Sequence, residues 1–314
     1  MFKHRVGPLE AVGLRPFVPG LKQCKRALVG DEFSEPSRWG VSSLAIFRLG
    51  LGPATWAGWR ARDRRVPVLN FFNHADAPPG GYDVRTTHAR DFRGGRQTYN
   101  SHVGTDFVVP VGTRLCAPAP GRVVRVENLM YRGGLKIVID HGEGLVTMSG
   151  HLARSLVQVG DEVARGQFIG LTGFSAIDGV LFFPWVPPHV HLTVLLNGHA
   201  VDPFADERDP HNASLWRGGN DPGPARPNGD RCRPPDRFDP IAVGHAIDDC
   251  RREETRAELC AMGDLALQAH TVHYGRLLDA GAFPDRTPLQ IEQWRRAPWL
   301  DLPFCDDEVV GLRL

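Results

Sequence analysis

Residues 135–148 have the sequence LKIVIDHGEGLVTM, and this stretch decides the fold class. Its first six residues are rich in β-branched and apolar side chains, as is typical of a strand, and residues 145–148 form a matching return strand. Gly142, Glu143 and Gly144 lie between the two runs and favour a tight turn. The stretch therefore predicts a β-hairpin.

The same pattern of a turn followed by a strand continues on both sides of the hairpin. Residues 122–126 follow a Pro-Gly pair, and residues 162–164 follow a Val-Gly-Asp turn. Short β-branched runs alternate with Gly and Pro turns over residues 85–205. We predict that this segment is a mainly β domain built from antiparallel sheets.

The rest of the chain divides into three regions. Residues 1–84 mix Pro, Gly and Trp without a clear period, so their fold stays unassigned. Residues 206–240 are dense in Pro, Gly, Asp and Arg and read as a linker or an irregular arm. Residues 241–314 are predicted to be a helical C-terminal region, because apolar residues recur at helical spacing up to residue 280.

A second C-terminal helix is also predicted. Thr287 resembles an N-cap, Pro288 fits the first helical position and Gln290 completes a capping box. This helix would run to Ala297 and end before Pro298.

The bulk composition excludes some classes of partner. The chain has 314 residues with 37 basic and 36 acidic side chains and a formal net charge of +1, so no basic surface for nucleic acid is expected. The best membrane candidate, residues 41–59, carries Arg48 and is broken by Gly50, Gly52 and Pro53, so we predict no transmembrane segment. The sequence does not indicate an oligomeric state.

The six cysteines lie far apart and include no C-x-x-C pair, which argues against a zinc ribbon or a thioredoxin-type site. Free thiols and disulfides both remain open. The first 20 residues contain no uninterrupted apolar stretch of the kind that a secretory signal needs, which favours a cytoplasmic location.

Two histidines share one predicted strand. In residues 189–196, HVHLTVLL, side chains alternate between two faces, so His189 and His191 lie on one face and the apolar residues on the other. Two imidazoles about 7 Å apart can serve one metal centre. The H-x-H spacing alone is a weak signal.

Three further polar residues indicate a functional site only in combination with His189 and His191. His102 and Asp106 are spaced H-x-x-x-D at a turn that enters a strand, and His151 follows the hairpin in Gly-His-Leu. His141 ends a strand at a turn, and we predict a structural role for it.

The order of these elements resembles the lysostaphin and LytM type of zinc endopeptidase over residues 99–204. H-x-x-x-D, an isolated His-Leu and H-x-H follow one another, and glycines at the turns between them match as well. The resemblance implies a duplicated-hybrid-motif fold, which is a lipoyl-like β-sandwich. It also implies a peptide or peptidoglycan substrate, and a location in the cell envelope or outside the cell.

The resemblance assigns roles by position. His102, Asp106 and His191 correspond to the ligands of one Zn²⁺ ion, and His151 and His189 correspond to the catalytic pair. Two imidazoles and one carboxylate leave the fourth tetrahedral position for water, which is the arrangement of catalytic zinc. The resemblance does not indicate which of His151 and His189 is the general base.

Two departures from the family pattern concern the substrate groove. Ser149 stands where the family usually has an aromatic residue, and residues 174–188 are inserted before the H-x-H strand. An inserted loop at that place either packs against the rest of the chain or shapes access to the site. Its candidate groove residues are Phe182, Phe183 and Trp185.

Two other functions remain open. Regulatory members of the same group keep the fold without catalysis, although all five site positions are present here. A sugar phosphotransferase carrier of the enzyme IIA type also uses two histidines on a similar β architecture, but it would need neither Asp106 nor the H-x-H spacing.

Overall fold

The structure is a computed structural model that describes residues 5–75, 83–86, 89–95, 98–206 and 211–314. Parts of three predicted regions lie outside the described residues: 1–4 and 76–82 of the N-terminal region, 87–88 and 96–97 of the β domain, and 207–210 of the arm.

The chain forms thirteen described strands: β1 (Arg65–Pro67), β2 (Thr105–Val108), β3 (Arg114–Cys116), β4 (Gly121–Leu129), β5 (Gly134–Asp140), β6 (Leu145–Ser155), β7 (Glu162–Val163), β8 (Phe168–Thr172), β9 (His189–Leu196), β10 (His199–Val201), β11 (Pro224–Ala225), β12 (Leu302–Cys305) and β13 (Gly311–Arg313). The described helices are α1 (Pro8–Ala11), α2 (Phe17–Val29), α3 (Leu51–Trp56), α4 (Ile177–Leu181), α5 (Pro240–Asp248), α6 (Glu253–Ala261) and α7 (Leu265–Leu278), with a 3-10 helix at Val41–Ile46.

Eleven of the described strands form one mixed sheet. Its main path is β11-β12-β3-β8-β6-β5-β4-β7, and β9 joins it by pairing with β6, β2 and β10. Most pairs are antiparallel, whereas β11 with β12 and the separate pair β1 with β13 are parallel. The predicted hairpin is β5 and β6, in register from Asp140 opposite Val146. The prediction of a mainly β domain is therefore confirmed.

The core lies on one face of β9. Val190, Leu192 and Val194 have no exposed surface, as alternation along the strand requires. The arm after residue 210 is irregular in structure yet packs on this core, since its Trp216 is also fully buried.

The C-terminal helices cover the opposite face of the sheet. Tyr274 of α7 packs in a cluster with Val138 of β5 and Met148 of β6. The helical prediction holds for α5, α6 and α7.

The prediction of a second C-terminal helix, from Thr287 to Ala297, is wrong. Residues 283–289 form neither helix nor strand, and Gln290 forms an isolated antiparallel bridge with Phe238. Leu289 is fully buried and its carbonyl accepts the Asp239 amide, so tertiary packing overrides the local helix signals. Thr287 does not cap a helix; its amide and hydroxyl donate to Asp285.

The six cysteines include one disulfide bond and four free thiols. Cys116 of β3 is bonded to Cys305 of β12, which lie 189 residues apart in the sequence. Cys24, Cys232, Cys250 and Cys260 are free thiols. None of the helices in the described ranges combines the length and the apolar composition that crossing a membrane requires.

A buried carboxyl fastens the arm to the hairpin turn. Asp236 is 8% exposed, its Oδ1 accepts the Gly144 amide at 2.6 Å, and its Oδ2 lacks a hydrogen-bond partner in the described structure. Burial first, and the charge of Asp140 second, raise the pKa of Asp236 to about 6.

We expect Asp236→Asn to stabilise the protein at pH 7 by on the order of 1 kcal/mol. The folded carboxyl holds its proton more tightly than the unfolded one, so the wild type loses stability as the pH rises from about 4 to 6. Asparagine keeps the acceptor for Gly144 and removes this loss. Urea unfolding at pH 4, 5, 6 and 7 measures the difference in unfolding free energy between the two proteins, with Asp248→Asn at an exposed position as the control. Parallel stability curves for wild type and Asp236→Asn would contradict the expectation.

Candidate metal centre

Three adjacent strands bring the predicted site residues together. Asp106 of β2 is opposite His191 of β9, and Gly150 of β6 is opposite His191 on its other side. His102 lies in the turn before β2, and His151 follows Gly150. One register across β2, β9 and β6 therefore gathers all five residues.

One atom from each of the three predicted ligands lies within hydrogen-bonding distance of the other two. Asp106 Oδ1 lies 2.8 Å from His191 Nδ1 and 3.0 Å from His102 Nε2. His102 Nε2 and His191 Nδ1 are 3.1 Å apart. Tetrahedral zinc with bonds near 2.0–2.1 Å sets its ligand atoms about 3.3 Å apart. The three atoms would fit a zinc ion after shifts of a few tenths of an ångström. Among the described residues, these three side chains are the group of His, Cys, Asp and Glu residues whose ligand atoms lie close enough to share a metal ion.

A second layer orients each of these side chains. His102 Nδ1 donates to the Phe71 carbonyl at 2.6 Å, which leaves Nε2 as a lone-pair donor in the neutral ring. Asn70 Nδ2 donates to Asp106 Oδ2 at 2.8 Å. Thr193 Oγ1 lies 3.0 Å from His191 Nε2. Such outer partners fix the ligand geometry in metal sites.

Burial and charge set the protonation states. Burial alone would raise the pKa of Asp106, but positive charge on the His102 and His189 rings, together with hydrogen bonds from His102 and His191, holds it well below its usual value. Burial lowers the pKa of His191, although Asp106 opposes that shift. Asp106 is thus a carboxylate and His191 a neutral ring, as metal binding needs.

The predicted catalytic histidines form a second pair beside the ligands. The rings of His151 and His189 lie 4.7 Å apart, and Phe174 packs against both. His151 Nδ1 faces the Ser175 carbonyl at 3.1 Å, and His189 Nδ1 faces the Pro187 carbonyl at 2.9 Å. In the neutral form each ring therefore carries its proton on Nδ1 and a lone pair on Nε2. His189 Nε2 lies 3.7 Å from Asp106 Oδ1.

His151 owes its position to an irregularity in β6. Its φ is +58°, a left-handed conformation that is uncommon outside glycine. The pairing of β6 with β5 and β8 also shifts register around this point. Ser149 and Leu152 both face the core, although strict alternation would place Leu152 on the opposite face. The strand therefore contains one extra residue between them, and this bulge turns His151 toward the site. Burial, together with His189 and His191, lowers the pKa of His151 well below its ordinary value.

Gly104 is required by the close approach of β9. A Cβ at this position would lie 2.6 Å from His191 Nε2 and 2.6 Å from the Leu192 carbonyl oxygen. The glycine inside H-x-x-x-D therefore makes room for the imidazole of His191.

Two cavities flank the ligand group. One of about 370 Å³ is lined by Asp106, His151 and His189. The other, of about 440 Å³, is lined by His151 and His191. The inserted loop contributes Phe174, Asp178 and Val186 to the smaller cavity.

None of the four candidate groove residues lines either of these two cavities. Ser149 is 3% exposed and is opposite Ile137 and Leu192, which are both core residues, so its side chain belongs to the core face. Phe182 packs against Trp39 and Phe47, with ring centroids 5.0 and 5.5 Å apart.

Phe183 and Trp185 also lie apart from the two cavities. Phe183 packs on Trp56, with ring centroids 4.9 Å apart, and Trp185 is 43% exposed. Packing accounts for the positions of Ser149 and Phe182, and a role of the four residues in a substrate groove stays a prediction.

Sequence reasoning missed several residues of the site. Asn70 and the Phe71 carbonyl come from the region left unassigned, and nothing local marks them. Asp178 had a usable signal, since it is a single carboxylate in an apolar loop. His141 hydrogen-bonds the Pro120 carbonyl and the Thr147 hydroxyl, apart from the metal-ligand group.

Comparison with known proteins gives a family for the central segment. Residues 100–203 match the model of peptidase family M23. Peptidoglycan DD-endopeptidase ShyA of Vibrio cholerae is 37% identical over 102 residues, which is 32% of this chain and 22% of that protein. Murein hydrolase activator EnvC of Escherichia coli is 35% identical over 92 residues, which is 29% of this chain and 20% of that protein.

A solved structure matches the same portion of the chain. The catalytic domain of lysostaphin from Staphylococcus simulans is 31% identical, with 32% of this chain and 75% of that chain covered and a TM-score of 0.29. The chain spans about a fifth of the length of the curated relatives it matches. Through residues 100–203, the chain belongs to peptidase family M23, as a metallopeptidase of the LytM type.

Proposed function

We propose that this protein is a zinc metalloendopeptidase that hydrolyses peptide bonds in peptidoglycan cross-links or related peptides. One zinc ion would be held by His102, Asp106 and His191. The convergence of their three ligand atoms within 3.1 Å carries the proposal, because two imidazole lone pairs and a carboxylate at that spacing call for a cation.

The chemistry divides between the metal and the histidine pair. A zinc ion bound there would lower the pKa of a coordinated water to about 7 and polarise the scissile carbonyl. His151 and His189 both offer a lone pair at Nε2, because their Nδ1 protons are held by backbone carbonyls. One of them takes the proton of the attacking water, and the resulting imidazolium supplies a proton for the leaving amine.

The substrate class rests on the relatives. ShyA is named a peptidoglycan DD-endopeptidase, and a Staphylococcus capitis relative that is 29% identical over 130 residues is named a glycyl-glycine endopeptidase. These names support peptidoglycan peptides as the substrate class and leave the cleaved bond to experiment.

A regulatory role is the second candidate. EnvC is named a hydrolase activator, so a related domain serves a protein that is named for activating another enzyme. The complete set of five site residues favours catalysis in this chain. An enzyme IIA-type phosphocarrier, the third possibility, would not need the Asp106 carboxylate among the imidazoles.

We expect the purified protein to bind about one zinc ion per chain and to release soluble fragments from peptidoglycan. Chelation should abolish hydrolysis, and added zinc should restore it. Elemental analysis and chromatography of the digested peptidoglycan measure both. Partner stimulation without hydrolysis would support the regulatory role, and phosphorylation of a histidine without zinc-dependent hydrolysis would support the phosphocarrier.

We expect His102→Ala, Asp106→Ala and His191→Ala each to reduce zinc content strongly, because two remaining protein ligands hold zinc poorly. Zinc content after dialysis against a weak chelator measures the effect. His245→Ala changes an exposed histidine of α5 and serves as control. Full zinc occupancy in all three variants would refute the ligand assignment.

We expect His151→Ala and His189→Ala to keep zinc and to lower kcat by about a hundredfold or more, as is usual when a proton-transfer group is lost. Zinc content and turnover are measured on the same preparations. Wild-type turnover in either variant would remove that histidine from the mechanism.

A further inference from the structure

A buried lysine lies on the same face of the sheet as the metal centre. Lys136 precedes Ile137 in β5, and Ile137 belongs to the core, so alternation sends Lys136 to the other face. Gly150 of β6, which is opposite His191, meets the lysine stem there: a Cβ added to Gly150 would lie 3.7 Å from Lys136 Cγ.

The ammonium of Lys136 has no carboxylate partner among the described residues, although its Nζ lies 5.8 Å from the centroid of the Tyr274 ring. The residue is 2% exposed, and its Nζ donates to the Gly134 carbonyl at 3.0 Å. Among the ion pairs of the described residues, none includes Lys136. Glu127, whose charge acts on it, already pairs with Arg125 at 2.9 Å. Burial lowers the pKa of Lys136 to about 7. A lysine this deeply buried is normally paired, so an anionic partner from outside the chain is a natural complement.

A second cation lines the same cavity. Arg132 is 8% exposed and its Nη1 donates to the Tyr131 carbonyl. Its loop is fixed to the active site, because the His151 amide donates to the Gly133 carbonyl at 2.8 Å. The Leu135 amide also donates to Ser175 Oγ. The position of Arg132 is therefore tied to that of His151.

The cavity joins these cations to the site. Its volume is about 440 Å³, and its walls include Arg132, Lys136, His151 and His191. Met148 and Leu278 supply apolar surface, and the described lining includes no carboxylate. A few polar groups on an apolar wall are typical of a specificity pocket.

We propose that this basic cavity binds a free carboxylate of the substrate close to the cleaved bond, with Lys136 as the specificity-determining residue. The proposal rests on the peptidase function proposed above and narrows its substrates to acidic peptides. A charge-assisted hydrogen bond from Lys136 to that carboxylate would supply the discrimination against a neutral amide.

The test uses pairs of peptides that differ only as carboxylate and carboxamide, either Glu and Gln at each position around the cleaved bond or a free and an amidated C-terminus. The zinc-loaded wild type should cleave the acid of at least one pair with a kcat/KM about tenfold to a hundredfold higher. Lys136→Met should lose this preference while its kcat/KM for the amide stays within about twofold. Lys136→Arg should retain the preference.

Controls separate specificity from folding. Lys22→Met makes the same charge change at an exposed position of α2 and should keep the preference. If Lys136→Met fails to fold, Lys136→Gln, which keeps a donor for the Gly134 carbonyl, replaces it. Equal cleavage of acid and amide by the wild type, or an unchanged preference in the folded Lys136 variant, overturns the proposal and leaves the peptidase function intact.

If no peptide is cleaved, the proposed peptidase function itself fails. A binding measurement then tests the carboxylate site independently of cleavage. N-acetylglycine and N-acetylglycinamide are titrated into zinc-loaded wild type and Lys136→Met and followed by ligand NMR. The proposal expects the acid to bind about tenfold more tightly to the wild type than to the variant, with no such difference for the amide. Equal binding of the acid to both proteins, as direct coordination to zinc alone would give, overturns it.

Discussion

The two-residue period of β9 is the constraint on which the whole site depends. Val190, Leu192 and Val194 are held in the core without exposed surface, so His189 and His191 must point the other way. A slip of one residue would turn the imidazoles toward the apolar core and the apolar side chains toward the candidate metal centre. Because β9 pairs with β2 on one side and β6 on the other, the same register also positions Asp106 and His151.

The metal centre extends beyond the segment that matches the family. The Phe71 carbonyl and the Asn70 amide orient His102 and Asp106, and both precede residue 100. The segment that carries them runs along β2, with the Asp106 amide donating to the Asn70 carbonyl at 2.9 Å. Aromatic residues of the N-terminal region also support the inserted loop. The N-terminal region is therefore part of the candidate metal centre of this chain.

Features set by local sequence could be predicted, and features set by distant contacts could not. The hairpin of β5 and β6 and the strand β9 follow from alternating patterns and glycine turns. The helix expected after Thr287 has good local signals, yet the burial of Leu289 and the bridge from Gln290 to Phe238 keep that segment out of a helix. The turn of His151 toward the site depends on a register shift between three strands, which no window of sequence reveals.

The bond between Cys116 and Cys305 closes a covalent ring that contains His151, His189 and His191, whereas His102 and Asp106 precede it in the chain. The ring also includes the arm, whose residues 226–229 are exposed. A protease that nicks the arm there would open the ring without dividing the molecule. The peptidase segment and the C-terminal helices would stay joined through the sulfur atoms, and β12 would stay anchored beside β3. A cut in this exposed segment would in this way leave the protein as a single covalently joined body.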